Sequence, residues 1–339
     1  MPPRVAYWTS VFEPDMEAIS SEVALLRRRF PSSVAWGLSR RHWAILSWRR
    51  GYCLNPRLHL LFRGLTRLLE PVFQLNHVFG SLGDWFYLEG VKRRPTVLTL
   101  AAQGLPVKRS LLDRVDCFVA ESPAGSDRLR QIGIDAQRIR LIFPPVDLAR
   151  FRPAAAPSGP FTVLFASSPA DADSLEARGV PLILDAAALE PTMRFRLLWR
   201  PWGNSLQRVE QWIAQRGLSN VELVAGKCAD MPGQYRSAHA TIAPFTCLDR
   251  AKPVPNSVVE SLACGRPVVT TDSVELASLI DEEQAGLTAQ PSGAALAASL
   301  ARLRTDWNLF SPRARRMAER WFGEEKFLQG YDRIYQELL

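Results

Sequence analysis

The chain has 339 residues, of which 47% are hydrophobic and 22% charged, with a formal net charge of +8. This balance excludes an intrinsically disordered chain, and no apolar run approaches the roughly eighteen residues of a membrane span. The five cysteines and four histidines fall in neither C-x-x-C nor any other metal-ligand spacing, so no disulfide framework, zinc site or other metal is expected.

Taken in chain order, apolar strands alternate with amphipathic helices. The first half reads as strands at Arg4–Trp8, Val34–Gly37, Val72–Asn76, Thr96–Leu100, Cys117–Ala120 and Ile139–Ile142, with helices at Asp15–Arg29 and Pro123–Ile132. A proline-rich stretch, Pro144–Pro160, follows. The alternation restarts with strands at Phe161–Ala166, Arg194–Leu198, Val221–Val224 and Thr241–Ala243. The pattern predicts an α/β protein with parallel sheets, long enough for two domains, each with its own core. Two doubly wound halves joined by one linker are expected to face each other across a ligand-binding cleft. The first residues enter a strand without a signal peptide's apolar core, so a cytoplasmic location is expected.

Charge is unevenly placed. Between Arg27 and Leu69 there are ten arginines and no Asp or Glu, interleaved with Phe30, Trp36, Trp43, Trp48, Tyr52 and Phe62. Such a surface suits anionic lipid headgroups or nucleic acid. No nucleic-acid motif accompanies it, so an anionic membrane surface is the expected partner and nucleic acid is not. The chain's 37 arginines against five lysines reflect a bias that explains Arg over Lys, but not the missing acids.

The stretch from Lys252 to Asp272, KPVPNSVVESLACGRPVVTTD, reads as a helix followed by a buried parallel strand. Pro255, Asn256 and Ser257 supply start signals, Val258, Val259, Leu262 and Ala263 a buried stripe, Gly265 the stop, and Pro267–Thr271 the strand. The unpaired N–H groups and dipole of such a helix start suit a phosphate, with Glu260 beside whatever the phosphate is attached to, a ribose being the obvious candidate. Ser257 and Glu260 equally fit a capping box, in which the carboxylate only satisfies the Ser257 N–H.

This stretch resembles the E-A-L-A-C-G-x-P-V-V donor motif of the retaining family-4 glycosyltransferases of the GT-B fold. Asp116–Ser122 and Pro144–Pro153 (P-P-V-D-x-x-x-F-x-P) are similar to further segments of that family, and Phe322–Leu339 resembles its terminal helix, which crosses back onto the first lobe. The resemblance implies a GT-B fold of two Rossmann-like domains: residues 1–152 with the crossover helix 322–339 on the acceptor side, and residues 153–321 binding the nucleotide-sugar. It also implies that the helix start (Pro255, Asn256, Ser257, Val258) holds the diphosphate and that Glu260 binds the ribose. The loop Gly226–Asp230, with Lys227 and Cys228, would meet the base through backbone groups.

Several positions depart from the family pattern. Ser167 and Ser168 replace its first-strand G-R, while Arg178–Gly179 keeps a cation at its K-G. Arg200, closing a strand, either replaces the missing charge or is a surface arginine. The family's first glutamate falls on Lys252, which either meets a donor carboxylate or the β-phosphate, or is an exposed loop lysine. The family histidine falls on Ala101. His77, with Asp15 or Glu17, is the available substitute, and a packed, satisfied histidine is the alternative. The activity implied is metal-independent transfer, with retention, from a nucleotide-diphosphate sugar to a lipid-linked or glycan acceptor, without a cofactor, at the inner face of the membrane. The alternative is a catalytically impaired GT-B protein that binds a nucleotide or glycan as a partner or scaffold.

Overall fold

A computed structural model describes residues 2–9, 12, 18–38, 52–54, 64, 66–83, 89, 93–102, 109–200, 203–248 and 252–339. The arginines at 40–50, together with Asp15 and Glu17, lie outside these residues. The chain divides into two compact units, Met1–Pro144 with Glu325–Leu339, and Pro145–Glu324.

Unit 1 is built on strands β1 (Val5–Thr9), β2 (Val34–Leu38), β3 (Tyr52–Leu54), β4 (Leu75–Gly80), β5 (Thr96–Leu100), β6 (Cys117–Ala120) and β7 (Ile139–Leu141). They form one seven-stranded sheet in the order β3-β2-β1-β4-β5-β6-β7, every pair parallel. Helices α1 (Ala18–Arg29), α2 (Arg109–Leu112) and α3 (Pro123–Gln131) connect them. Alternation along β1 sends Val5 and Tyr7 into the core on one face and Ala6 and Trp8 into the core on the other. A sheet covered on both faces needs strands apolar throughout, and this explains why these segments read as continuous apolar runs.

Unit 2 repeats the plan with β8 (Thr162–Phe165), β9 (Arg194–Trp199), β10 (Val221–Ala225), β11 (Ala240–Ala243), β12 (Val268–Thr270) and β13 (Gly286–Thr288). The order is β10-β9-β8-β11-β12-β13, again all parallel. Its helices are α4 (Val180–Leu189), α5 (Ser205–Arg216), α6 (Met231–Arg236), α7 (Asn256–Ala263), α8 (Ala277–Glu282), α9 (Gly293–Thr305) and α10 (Trp307–Trp321). Both sheets thus have the 3-2-1-4-5-6 order of dinucleotide-binding folds. Much of the proline-rich stretch is tied down. Arg315 Nη1 donates to the carbonyls of Phe151 (2.8 Å) and Ala263 (2.7 Å), holding the first residues of unit 2 against the end of α7.

The last helix, α11 (Glu324–Leu338), returns to unit 1, where Phe327, Tyr331, Ile334 and Tyr335 share one helical face and join its core. Beneath it lies a polar network. His77 Nδ1 meets the Tyr335 hydroxyl at 2.5 Å, His77 Nε2 meets Thr99 Oγ1 at 2.7 Å, and Thr99 Oγ1 meets the Tyr331 hydroxyl at 2.8 Å.

Two expectations are corrected, and one strand is added that was not expected. β4 runs Leu75–Gly80 rather than Val72–Asn76, because Pro71 sits in a 3₁₀ turn over Glu70–Val72 and the buried strand carries the polar Asn76 and His77, which interrupt its apolar run. His77 is therefore inside a strand, fully buried and satisfied at both ring nitrogens, and does not face a ligand site. The edge strand β13 gave no sequence signal: its Gly286 allows close pairing, since a Cβ there would lie 2.1 Å from the Val268 carbonyl oxygen.

The network sets two expected outcomes. Tyr335→Phe strands a buried ring nitrogen of His77 and should lower unfolding stability by about 1–3 kcal/mol in urea titrations. Burial also holds the His77 pKa well below 6.5, so the fold keeps the ring neutral. Its contribution is complete above the unfolded pKa of about 6.5 and is lost as pH falls below it. A His77→Gln variant should lose less stability than wild type between pH values of about 7 and 5.

Candidate functional site

In unit 2 the strand order reverses between β8 and β11. The carboxyl ends of parallel strands flanking such a reversal border the crevice in which open α/β sheets bind ligands. Two connections border it here: the loop after β8, and the loop after β11 that leads into α7. The structure stitches them together. Ser167 Oγ is 2.6 Å from Ser257 Oγ in the first turn of α7. The Thr246 N–H donates to Ala177 O at 3.0 Å, and its hydroxyl to Glu176 O at 3.0 Å. Gly179 completes the join with φ +67°. A Cβ there would lie 1.9 Å from Pro244 O, so only glycine lets the two backbones approach.

Helix α7 starts at this crevice. Pro255 is its N-cap and offers no side-chain cap, while the Val258 N–H donates to Pro255 O at 3.0 Å. The N–H groups of Asn256 and Ser257 lie ahead of this first bond, and the dipole adds positive potential there. Because the N-cap is Pro255 and not Ser257, Glu260 lies two residues deeper in the helix than a capping box requires, and that alternative does not hold. Its Oε2 accepts from the Tyr235 hydroxyl at 2.9 Å. Tyr235, on α6, is fully buried, with Phe151 edge-on to its ring at 6.1 Å.

Two cations, Arg200 and Arg150, act on this carboxylate, and a third, Arg178, lies near Arg200. Burial pushes the Glu260 pKa up to about 7, opposed by the Tyr235 hydrogen bond and then by Arg200 and Arg150. Arg178 stacks over the Phe245 ring at 4.8 Å. Burial, and then the neighbouring Arg200, lower the Arg178 pKa to about 10, which leaves it charged at neutral pH. Arg200 is itself exposed, anchored through its backbone N–H to Ser168 Oγ at 3.1 Å. One arginine that loses hydration and two that sit nearby make a region where an anion offsets both burial and mutual repulsion.

The other expected residues are placed as follows. Pro255 and Val258 are buried, and Asn256 accepts from Lys252 Nζ at 3.4 Å, so Lys252 sits against the α7 start. Lys227 (exposed) and Cys228 (half-buried) follow the edge strand β10, two strands from β8, and burial raises the Cys228 thiol pKa. His77 belongs to the core of unit 1. Among the described residues no group of three or more His, Cys, Asp or Glu is placed to hold a metal ion.

Tyr235 and Arg150 escaped the sequence reading. Tyr235 lies in a six-residue helix too short for a periodicity signal. Arg150 sits inside the P-P-V-D-x-x-x-F-x-P segment, where Asp147 Oδ1 accepts from its backbone N–H at 3.0 Å. That aspartate, read only as part of a motif, is what positions the arginine.

Two outcomes follow from this geometry. Gly179→Ala combines a left-handed backbone with a backbone clash and should destabilise the protein by about 2 kcal/mol or more in urea unfolding. Because the folded state raises the Glu260 pKa, its contribution to stability is complete below about 4.5 and is lost as pH rises through about 7. Glu260→Gln should remove up to about 3 kcal/mol of that loss, seen as a flatter melting-temperature profile between pH 5 and about 8.

Residues 163–306, most of unit 2, match the family model described as Glycosyl transferases group 1. No curated protein matches the chain in sequence. The fold is similar to that of HepE from Anabaena, crystallised with UDP and glucose (TM-score 0.79, 15% identity, covering 99% of this chain and 100% of that one). It is also similar to sucrose-phosphate synthase from Thermosynechococcus elongatus (TM-score 0.77, 16% identity, 99% of each chain). A glycosyltransferase from Rickettsia africae ESF-5 aligns at TM-score 0.76 and 14% identity, over 100% of this chain and 99% of that one. The segment 163–306 is thus similar to the group 1 glycosyl transferases, in a chain with the GT-B fold of two Rossmann-like domains.

Proposed function

We propose that the protein is a metal-independent glycosyltransferase that moves a sugar, with retention, from a nucleotide-diphosphate sugar to a lipid-linked or glycan acceptor at the inner face of the membrane. The observation that carries this reading is what the two connections at the strand-order reversal of unit 2 bring: the α7 start, Glu260 with Arg200 and Arg150 near it, and Arg178 near Arg200. A diphosphate carries roughly two negative charges and gains another as the sugar departs. Arg178 is already charged, partly dehydrated and held by Phe245, so it meets that charge without reorganising. Arg200 closes over the anion from the exposed side, and Lys252, beside Asn256, meets the β-phosphate or a carboxylate on the donor sugar. Glu260 accepts from the ribose hydroxyls through the oxygen that Tyr235 leaves open. Transfer with retention follows where the leaving diphosphate itself assists the acceptor on the same face of the sugar. His77 has no part in this scheme.

HepE, a protein of the same fold, is crystallised with UDP and with UDP-glucose, so uridine nucleotides lead the test panel. No helix among the described residues is long and apolar enough to cross a membrane, a fact compatible with peripheral attachment. A second reading, a GT-B protein that binds a nucleotide without turnover, is favoured by Ala101 and Lys252, where the family pattern has His and Glu.

The test is calorimetric titration with nucleotides, followed by donor hydrolysis and transfer assays. Glu260→Ala should weaken nucleotide binding by about 1–3 kcal/mol. Arg178→Ala and Arg200→Ala should each slow transfer by about tenfold or more. Tight binding with no turnover of any donor would establish the second reading, and the absence of binding by every nucleotide and nucleotide-sugar sinks both.

A further inference from the structure

Parallel strands all begin at one edge of their sheet, so in unit 1 the residues just before β1, β4, β5 and β6 lie together, at the edge opposite the carboxyl ends. Arginines and apolar side chains predominate among them, with two exposed acids, Asp113 and Asp116. Arg4, Arg67, Arg93, Arg94 and Arg114 are all exposed there. Leu68 is 77% exposed and Val72 51% exposed, two of the exposed large hydrophobic side chains among the described residues.

A buried carboxylate builds this edge. Glu70, only 1% exposed, accepts from the backbone N–H groups of Arg93 (2.6 Å) and Arg94 (2.9 Å), and from Asn76 Nδ2 at 3.2 Å. It thereby locks the Arg93–Arg94 loop against the Glu70–Val72 turn and leaves both guanidinium groups on the outside. Arg94 Nη2 donates to Pro71 O at 3.3 Å, next to the exposed Val72. Arg93, Arg94 and Arg114 then line a cavity of about 520 Å³ together with Asp113 and Asp116. The Asp116 carboxylate accepts from the Thr96 N–H at 2.8 Å, holding the strand start.

We propose that this edge of unit 1 is a docking surface for an anionic lipid bilayer, with Arg93, Arg94 and Arg114 receiving lipid phosphates and Leu68 and Val72 entering the headgroup layer. Charge complementarity and the pairing of exposed aliphatic side chains with arginines single out lipid. Nucleic acid would reward the arginines but leave Leu68 and Val72 unmatched. The placement leaves the carboxyl edges of the strands open to substrates. The inference rests on the membrane-surface part of the proposed function and is independent of turnover.

The experiment is co-sedimentation of the full chain with vesicles of phosphatidylcholine alone or with about 30% phosphatidylglycerol, at low and high salt. Wild type should bind the anionic vesicles, and less so at high salt. The Arg93→Gln/Arg94→Gln variant should lose about tenfold or more in partitioning, since each basic side chain near an anionic surface contributes severalfold. Leu68→Ser/Val72→Ser should lose several-fold at either salt concentration. Thermal melts of both variants should match wild type, because the changed side chains are exposed. A comparison variant with Arg40, Arg41, Arg49 and Arg50 changed to Gln measures the arginine-rich segment separately. The proposal is overturned if wild type ignores anionic vesicles, if both surface variants bind them as wild type does, or if the protein retains duplex DNA and no vesicle. Vesicle binding by a protein that binds no nucleotide would leave this proposal standing while the proposed function falls.

Discussion

The structure of unit 2 depends on one constraint, the parallel pairing of β8 with β11 at the point where strand order reverses. Each strand sends its following connection to a different side, so the two carboxyl ends cannot be covered by their own loops. A gap is inevitable, and the chain closes its rear wall with the Ser167–Ser257 hydroxyl pair and the two Thr246 hydrogen bonds. Both partners of each link come from segments remote in sequence, so the wall forms only once β8 and β11 have paired. Gly179 is the steric condition for that wall. Everything that makes the site electrostatic, from the α7 start to Arg178, is carried on these two connections.

The electrostatics follow from burial more than from contacts. Glu260 and Arg178 are moved in the direction that weakens their charge, and in each case desolvation is the leading cause. Nearby groups then divide: Tyr235, Arg200 and Arg150 favour the Glu260 carboxylate, while Arg200 disfavours the Arg178 cation. A fold that held these groups only for stability would replace them with apolar side chains at little loss. Retaining a partly dehydrated arginine next to a second arginine makes physical sense where an anion arrives. Arg266 shows a different outcome: fully buried under Trp307 at 5.4 Å, its Nη2 donates to the carbonyls of Ala155 (2.9 Å) and Arg236 (2.8 Å), while its Nε and Nη1 are buried without a hydrogen-bond partner.

What was legible in the sequence is what leaves a local signal. β5 and β6 have the expected limits because a buried parallel strand is a short unbroken apolar run, and α7 was read from its proline, serine and closing glycine. The two-unit plan followed from the restart of alternation after Pro144. The site was legible only along α7 and at Arg178–Gly179, where a helix start and a motif coincide. Tyr235 and Arg150 could not be read, since their importance is a distance to Glu260 across segments that share no period. The arginine-rich stretch was visible as composition alone, and the docking edge of unit 1 draws instead on residues from four separate segments whose common feature is only that each precedes a strand.

His77 shows why residue type is a weak guide to chemistry. An imidazole near a strand end suggests a proton donor or acceptor, yet two side chains from β5 and α11 occupy both its nitrogens, and Phe79 and Tyr331 lie with ring centroids 4.3 Å and 5.1 Å from its own. The same burial that suppresses its charge makes it a fixed donor and acceptor, and through Tyr335 it fastens the last helix onto the first sheet. Glu260 is also partly buried and also bonded to a tyrosine, but only one of its oxygens accepts that bond, and the charged groups acting on it are the cations Arg200 and Arg150. The difference between the two groups therefore lies in their remaining hydrogen-bonding capacity: His77 has none to offer a ligand, whereas Glu260 keeps one carboxylate oxygen that Tyr235 does not occupy, and burial raises its pKa to about 7.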